Sequence, residues 1–553
     1  MFSAEISSSK SRAHRLSHCP KTPAFSSRFW LGIALACAAV LATRAGVQVQ
    51  LGQNFTASTL GTDSSLVPPD SDGAIGPNHF VEFINGRFSV YDKVSGTEVQ
   101  TMTDTAFWTA TGVDLTGLAL SDTRIIYDPL SGRWFASEID FNGSVAHPVN
   151  NRFLLAVSAS DDPTGQWNSV AFQADPAGNF ADFPRLGLDA KGVYLTGNMF
   201  DRHGSFIGVL VTSIPKADLL LSTPTATNRT TSGVVSQASF GFSPEPVVNF
   251  NPTNNAENVL AVPTDGLAMT GTNFIPQVSL LTFQVLDADT PSATFSPSTL
   301  IPVPSYLVNI NPFQPDGTNT LDDGDARIGS YVFQVGDNIY ATHGVQLGPR
   351  AAIRWYRLSA TNHVLLESGT ISDTNLDLFY PSIAASTNGL VVIGFNGSSL
   401  NTFVSSYAVA GETINGTTIF GDKMLLKAGE GNYEVSPAGD NRWGDYSTTT
   451  VDAANPNHFW TIQEYAAAGN LWSTQVTELI VSDVPPLLQI AEAGTNAVLS
   501  WSTNDIDFAL VSATNLAPNV VWSAVTNSVS IVGNQNTVTV AANKTRQFFR
   551  LKR

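Results

Sequence analysis

An all-β fold is predicted for this 553-residue chain, and three observations predict it. One strand–turn–strand layout recurs seven times. The composition is rich in turn formers, with 43 Gly and 30 Pro, and only 13% of residues are charged. A strand-like run near the N-terminus is left over where the last repeat is one strand short. Aromatics at 10% argue for a packed core rather than a disordered chain.

The first element is a leader. Phe29 to Ala42 reads FWLGIALACAAVLA, fourteen residues without a charge, preceded by a long basic stretch and followed by small residues. That run is short for a bilayer span, which needs about 20 apolar residues, and has the shape of a secretory signal. Residues 1–45 are therefore expected to be a signal peptide and the protein to be exported, to the periplasm, the cell surface or the medium. Both cysteines, Cys19 and Cys37, lie inside it. The mature chain would have no thiol, which excludes disulfides, thiolate catalysis and cysteine-ligated metals. Removing the leader takes away six bases and one acid, leaving 45 acids and 22 bases, a net of −23. Such a charge argues against nucleic acid and against an anionic membrane as partners. No later segment is long and apolar enough to anchor the mature chain.

The repeats follow. They begin at Asp72, Asp122, Asp182, Glu245, Asp325, Tyr380 and Arg442, each with an aliphatic run, a Gly- or Asn-rich turn and a second apolar strand. A third alternating run follows each one, such as RFSVYDK from Arg87, RFLLAVSAS from Arg152 and TFVSSYAVA from Thr402. Fourth strands are legible in WNSVAFQAD from Trp167 and HVLLESGTI from His363. A multi-strand unit repeated every 50 to 80 residues or so points to a propeller, in which no blade buries its faces alone. Val484-Pro485-Pro486 cuts off the seventh repeat after its third strand, and the run from Val47 to Ser58 supplies the missing one. Pairing the two would also protect an exposed edge. Residues 46–482 are thus expected to form a seven-bladed β-propeller closed by the N-terminal strand. A row of β-sandwiches is the competing arrangement, but it needs no terminal strand. After a Pro-rich linker at 483–486, residues 487–553 read as a small C-terminal β-sandwich.

Two likenesses accompany these patterns. PPDSDGAIGPNHFVEFIN from Pro68, DFPRLG from Asp182 and RWGDYS from Arg442 resemble a family of exported bacterial β-propeller proteins of unsettled activity. The tail, ending in FFRLK from Phe548, resembles C-terminal modules that recur on otherwise unrelated exported bacterial proteins. That second resemblance implies surface display or sorting.

Aligning the repeats puts Arg124, Arg185, Arg327 and Arg442 at one expected position in four blades, with Ala74, Pro246 or Val247, and Ser382 in the other three. Asp122, Asp182, Asp325 and Asp445 sit beside them. Guanidinium–carboxylate forks of this kind hold neighbouring blades in register. Alternatively, the arginines point into the channel mouth and clamp an anionic sugar. The loops after second strands add His147, Asp201-Arg202-His203, Asp265, His343, Glu464-Tyr465 and Trp472 on the same face. His343 and Tyr465 join the arginines and aspartates as candidate ligand-binding residues; no catalytic residue is assigned.

No cofactor is identified. Six histidines follow the leader without a zinc-binding pair, and nucleotide and nucleophile-elbow motifs are missing. Calcium is the one metal left open: the stretches from Asp70 (DSDG) and Asp316 (DGTNTLDDGD) are oxygen-rich, and Asp316, Asn319, Asp322 and Asp323 could form a site. The leading functional expectation is an extracellular binding protein that takes a glycan or another surface ligand at the channel mouth. A carbohydrate-active enzyme on acidic glycans (glycoside hydrolase, sialidase-like or polysaccharide lyase) is the second, and a structural or adhesion protein the third.

Overall fold

The computed structural model describes residues 47–552, apart from 145–146, 254–256, 316–318, 436–439, 483–486, 503–507, 517–519, 534 and 543–545. The expected leader, the Pro-rich linker and Asp316 lie outside the described residues. The fold is all-β, as expected, with three short helices among the described residues.

Alternating apolar residues build a succession of antiparallel meanders. The first sheet runs Asp72–Ile75, His79–Ile84, Arg87–Asp92, Glu98–Met102; the second runs Ala119–Asp128, Arg133–Phe141, Arg152–Ser158, Trp167–Gln173. The third is Phe180–Leu188, Gly192–Phe200, Phe206–Pro215 and the two-residue Thr230–Thr231. In the fourth, Phe242–Asn249, Glu257–Val262 and Gln277–Leu286 are followed by two strands that both pair with the third, Thr294–Phe295 and Thr299–Tyr306. The fifth holds Val332–Val335, Asn338–Leu347, Arg350–Ser359 and Leu365–Ile371, and the first of these also pairs in parallel with Phe242–Asn249. The sixth holds Asp377–Ala385, Leu390–Ser399, Thr402–Ile414, Thr417–Phe420 and Met424–Lys427.

The seventh has only three strands of its own, Thr448–Val451, His458–Ala467 and Leu471–Ser482. Its outer edge is taken by the N-terminal strand Gln48–Thr59, with Gln48 opposite Ser482 and Thr59 opposite Ser473.

Apolar side chains pack each sheet on the next. Ile126, Phe135 and Ile139 of the second meet Leu186, Leu195 and Met199 of the third, for example. Ile75, Phe80 and Tyr91 of the first sheet pack on Trp460, Ile462 and Val476 of the seventh, with Phe80 and Trp460 stacked at 5.6 Å. The first strands of consecutive sheets lie side by side, and that of the seventh lies against that of the first.

Their local geometry positions the site. Four first strands carry a bulge, at Asp122, Phe183, Ser243 and Tyr380, where the backbone turns left-handed (φ 67°, 55°, 47° and 44°). Asp70 and Asp445 take the same conformation just before the first strands of the first and seventh sheets (φ 53° and 70°). A bulge bends the strand and re-aims its side chains, and a left-handed aromatic such as Phe183 or Tyr380 is strained.

After residue 487 the chain forms two small sheets, one of Gln489–Ala493, Asn496–Ser502, Gln535–Ala541 and Ser530–Val532, the other of Ser523–Ala524, Ala509–Ala513 and Phe548–Lys552. They share a cluster of Leu499, Trp501, Leu510, Val538 and Val540. Among the described residues no helix is long and apolar enough to cross a membrane.

Candidate functional site

The repeated bulge sets up two tiers of side chains. The left-handed residue faces a cavity of about 510 Å³ whose lining includes Asp70, Asp122, Phe183, Tyr380 and Asp445. The residue two positions later drops beneath it: Asp72, Arg124, Arg185, Glu245 and Ser382, all buried.

That lower tier is a plug. Arg124 and Arg185 are fully buried. Arg185 Nε lies 3.0 Å from Glu245 of the next sheet, and its guanidinium donates to the carbonyls of Ile328 and Gly329. Arg124 Nε lies 3.5 Å from Asp72 of the preceding sheet. The Arg124 guanidinium also covers the faces of Tyr331 (4.0 Å) and Tyr446 (4.6 Å). Asp72 accepts from Tyr331 OH at 2.7 Å, Ile125 N at 3.0 Å and the Thr448 hydroxyl, tying the first sheet to the second, fifth and seventh. Burial pushes the Asp72 carboxyl up against these bonds, and it pushes Glu245 up to about 7.

The four arginines therefore do not share one position. Arg124 and Arg185 come two residues after a left-handed residue, whereas Arg442 comes three residues before one, Asp445. The true equivalents in the first and fourth sheets are Asp72 and Glu245, not Ala74 and Pro246 or Val247; Ser382 is placed as aligned. The sequence alignment went astray because the bulge shifts the ladder by a residue that apolar alternation does not reveal.

Arg327 and Arg442 do reach the cavity wall. Arg327 forks onto Asp325, Nε to Oδ1 at 2.7 Å and Nη2 to Oδ2 at 2.5 Å, over the Phe183 ring at 4.0 Å. Arg442, 44% exposed, binds Asp322 at 2.8 Å and forks onto Asp445 at 2.9 and 2.5 Å. No arginine at this cavity is left without a carboxylate.

The acids outnumber them. Asp70, Asp122, Asp182, Asp322, Asp323, Asp325 and Asp445 all line the cavity. Asp122 accepts from Ser121 Oγ at 2.6 Å and Tyr446 OH at 3.0 Å. Burial, with the neighbouring Asp122 and Asp445 charges, holds the Asp70 carboxyl well above the usual range; burial first and Asp122 next push Asp182 up to about 7. Asp323 is likewise held up by burial.

His343 lines the cavity as expected but is fully buried and held at both nitrogens, with Nδ1 3.0 Å from the Ala326 carbonyl and Nε2 3.0 Å from Tyr356 OH. The carbonyl can only accept, so Nδ1 carries the proton, and burial lowers the imidazole pKa to about 4. Tyr465 is buried in the seventh sheet, its hydroxyl 3.1 Å from Thr56 Oγ1 of the N-terminal strand. Trp472 is buried too and donates to the Leu66 carbonyl, so neither aromatic offers a stacking face to a sugar.

Of the calcium candidates, Asp322 is bound to Arg442, Asn319 donates to Glu434 at 3.3 Å, and Asp323 is 5% exposed. Among the described residues no group of three or more His, Cys, Asp or Glu side chains is placed to hold a metal ion. Sequence reading missed Phe183 and Tyr380, and took Asp70 only as the start of an oxygen-rich stretch rather than as part of the repeated site. The spacing Asp70-Ser71-Asp72 against Asp122-Thr123-Arg124 was the available signal, obscured because the first repeat was aligned on Ala74.

No family model matches the chain, and no curated protein matches it. Solved structures similar to it include a protein of unknown function from Dyadobacter fermentans (11% identity, 66% of this chain and 96% of that one, TM-score 0.36). The α-L-arabinofuranosidase Arb93A from Fusarium graminearum covers 77% of this chain and 98% of its own at 10% identity and TM-score 0.36. An exo-β-1,3-galactanase from Clostridium thermocellum covers 88% and 99% at 11% identity and TM-score 0.29.

Proposed function

We propose that this chain is an exported seven-bladed β-propeller that binds a glycan in the carboxylate-lined cavity. The blade reading is supported by the seven meanders, the N-terminal strand on the seventh and the packing of the seventh on the first. The single observation that carries the binding reading is the cavity itself. At about 510 Å³ it is large enough for one or two sugar units, and carboxylate oxygens are its main polar lining. Carboxylates accept paired hydrogen bonds from sugar hydroxyls, and Phe183 and Tyr380 give the wall apolar surface. The arginine clamp on an anionic sugar loses its support, because Arg327 and Arg442 are already occupied by Asp325, Asp322 and Asp445. A broad glycan array probed with folded protein tests this reading. Capture of neutral or basic glycans, reduced in Asp182→Asn, is expected; capture of none, or of sialylated and uronate-bearing glycans alone, would sink it.

One observation favours hydrolysis as a second reading. An Asp182 carboxyl near pH 7, beside further carboxylates, is the setting in which one acid keeps a proton while another is ionised. Turnover of aryl glycosides that falls at least about 100-fold in Asp182→Asn would support it. Equal rates in the two proteins would remove it.

A further inference from the structure

The cavity holds more carboxylate than its own cations neutralise. Arg327 and Arg442 engage Asp325, Asp322 and Asp445, while Asp70, Asp122, Asp182 and Asp323 form no ion pair among the described residues. Asp70 Oδ1, Asp323 Oδ2 and Tyr380 OH also have no hydrogen-bond partner among the described residues. Asp70 is 1% exposed and Asp323 5%, so bulk water does not readily serve them. Buried acceptors without donors are costly, and crowded carboxylates repel one another.

A group that answers these acceptors is a donor with positive charge. An ammonium brings three N–H donors and no acceptor, and its charge favours the ionised, acceptor-only form of the carboxyls it meets. An anion would meet seven aspartates and only two arginines, both already forked onto carboxylates. A metal ion needs converging ligands that the described side chains do not provide. Repulsion among Asp70, Asp122, Asp182 and Asp445 is the kind of strain that a cation placed between them relieves.

We propose that the ligand of this cavity carries a primary ammonium group, presented by an amino sugar and received by Asp70, Asp122 and Asp182. The inference rests on the reading of the cavity as a glycan site and narrows it to amine-bearing glycans.

The test is calorimetric titration of the full chain with a fully N-acetylated glucosamine tetramer and with its fully de-N-acetylated counterpart, in the same buffer and salt. The amine form is expected to bind about tenfold tighter or better, as a charge-assisted contact in a partly buried site implies. That advantage should shrink towards one in both Asp122→Asn and Asp182→Asn, because the amine form loses more affinity than the acetylated form does. Asp122 accepts from Ser121 and Tyr446, so its variant is checked by melting curve; the less buried Asp182 keeps the test intact if that variant fails to fold. Equal affinity for the two tetramers would overturn the ammonium proposal and leave the glycan reading standing. An advantage that persists in both variants would assign it to the chain's general acidity and overturn the proposal as well. Binding of neither tetramer by folded protein would overturn the proposal, and an array that also captures nothing would take the glycan reading with it.

Discussion

The plug and the cavity wall are built by the same left-handed turn of the backbone, yet they use charge in opposite ways. Two residues apart along each first strand, the lower position buries Arg124 against Asp72 and Arg185 against Glu245, with aromatic rings closing over the guanidinium groups. The upper position presents Asp70, Asp122 and Asp445 to the cavity, where Asp70 and Asp122 form no ion pair among the described residues. Charge that is paired with opposite charge across sheets and covered by aromatic rings is structural. Charge that is crowded and left partly unmet beside a cavity is available to a ligand. The difference lies in the partners, since the backbone that carries both tiers is the same.

The largest expected effect comes from breaking the lower tier. Arg124→Met leaves Asp72 without its cation in a fully buried site and should cost about 3–5 kcal/mol of stability, the usual penalty for orphaning one member of a buried pair. Urea denaturation measures it, and a loss below about 1 kcal/mol would place the pair with surface ion pairs instead.

The pH dependence of stability comes next. Asp182 rises from an ordinary 3.8 to about 7 and Glu245 from 4.5 to about 7, both through burial first. The folded chain then holds protons that the unfolded chain releases, so stability should fall as pH rises from about 4 to about 7 and level off above that. Melting temperatures at pH 5 and pH 8 would show the drop, and Asp182→Asn should reduce it. A melting temperature that climbs over that range contradicts the burial account.

Tyr446→Phe removes the hydroxyl that donates to Asp122 and should cost about 0.5–1.5 kcal/mol. The same change takes a donor from the cavity's acids, so it should sharpen rather than weaken capture of an amine. Smallest of all, Arg442→Ala should cost about 0–1 kcal/mol, because its forks to Asp322 and Asp445 are half open to solvent. If Arg442→Ala destabilises as much as Arg124→Met, the division between the two tiers fails.

Much of this was legible in the sequence. The recurrence of alternating runs located most long strands, including Trp167–Gln173 and Leu365–Ile371, and the spare N-terminal run matched the strand that the seventh sheet lacks. Residues 122, 182, 325, 327, 442 and 445 do meet at one cavity. What could not be read was the bulge. Its extra residue has no apolar signature, so Arg327 and Arg442 were aligned with Arg124 and Arg185 although they belong to the loops before the strands. The same slip hid Asp70 and Asp72, which stand two residues apart like Asp122 and Arg124. His343 lines that cavity too, whereas Tyr465 looked available in sequence because alternation tells which face of a strand a residue takes, not whether a neighbouring sheet covers that face.

The most direct test of the account is one glycan array probed in parallel with the wild-type chain, Asp182→Asn and Arg442→Ala, each verified as folded. The glycans captured by the wild type are expected to be neutral or basic, to be largely lost in Asp182→Asn and to be kept in Arg442→Ala. Capture that is unchanged in Asp182→Asn but lost in Arg442→Ala would contradict this, since an arginine rather than the crowded carboxylates would then hold the ligand.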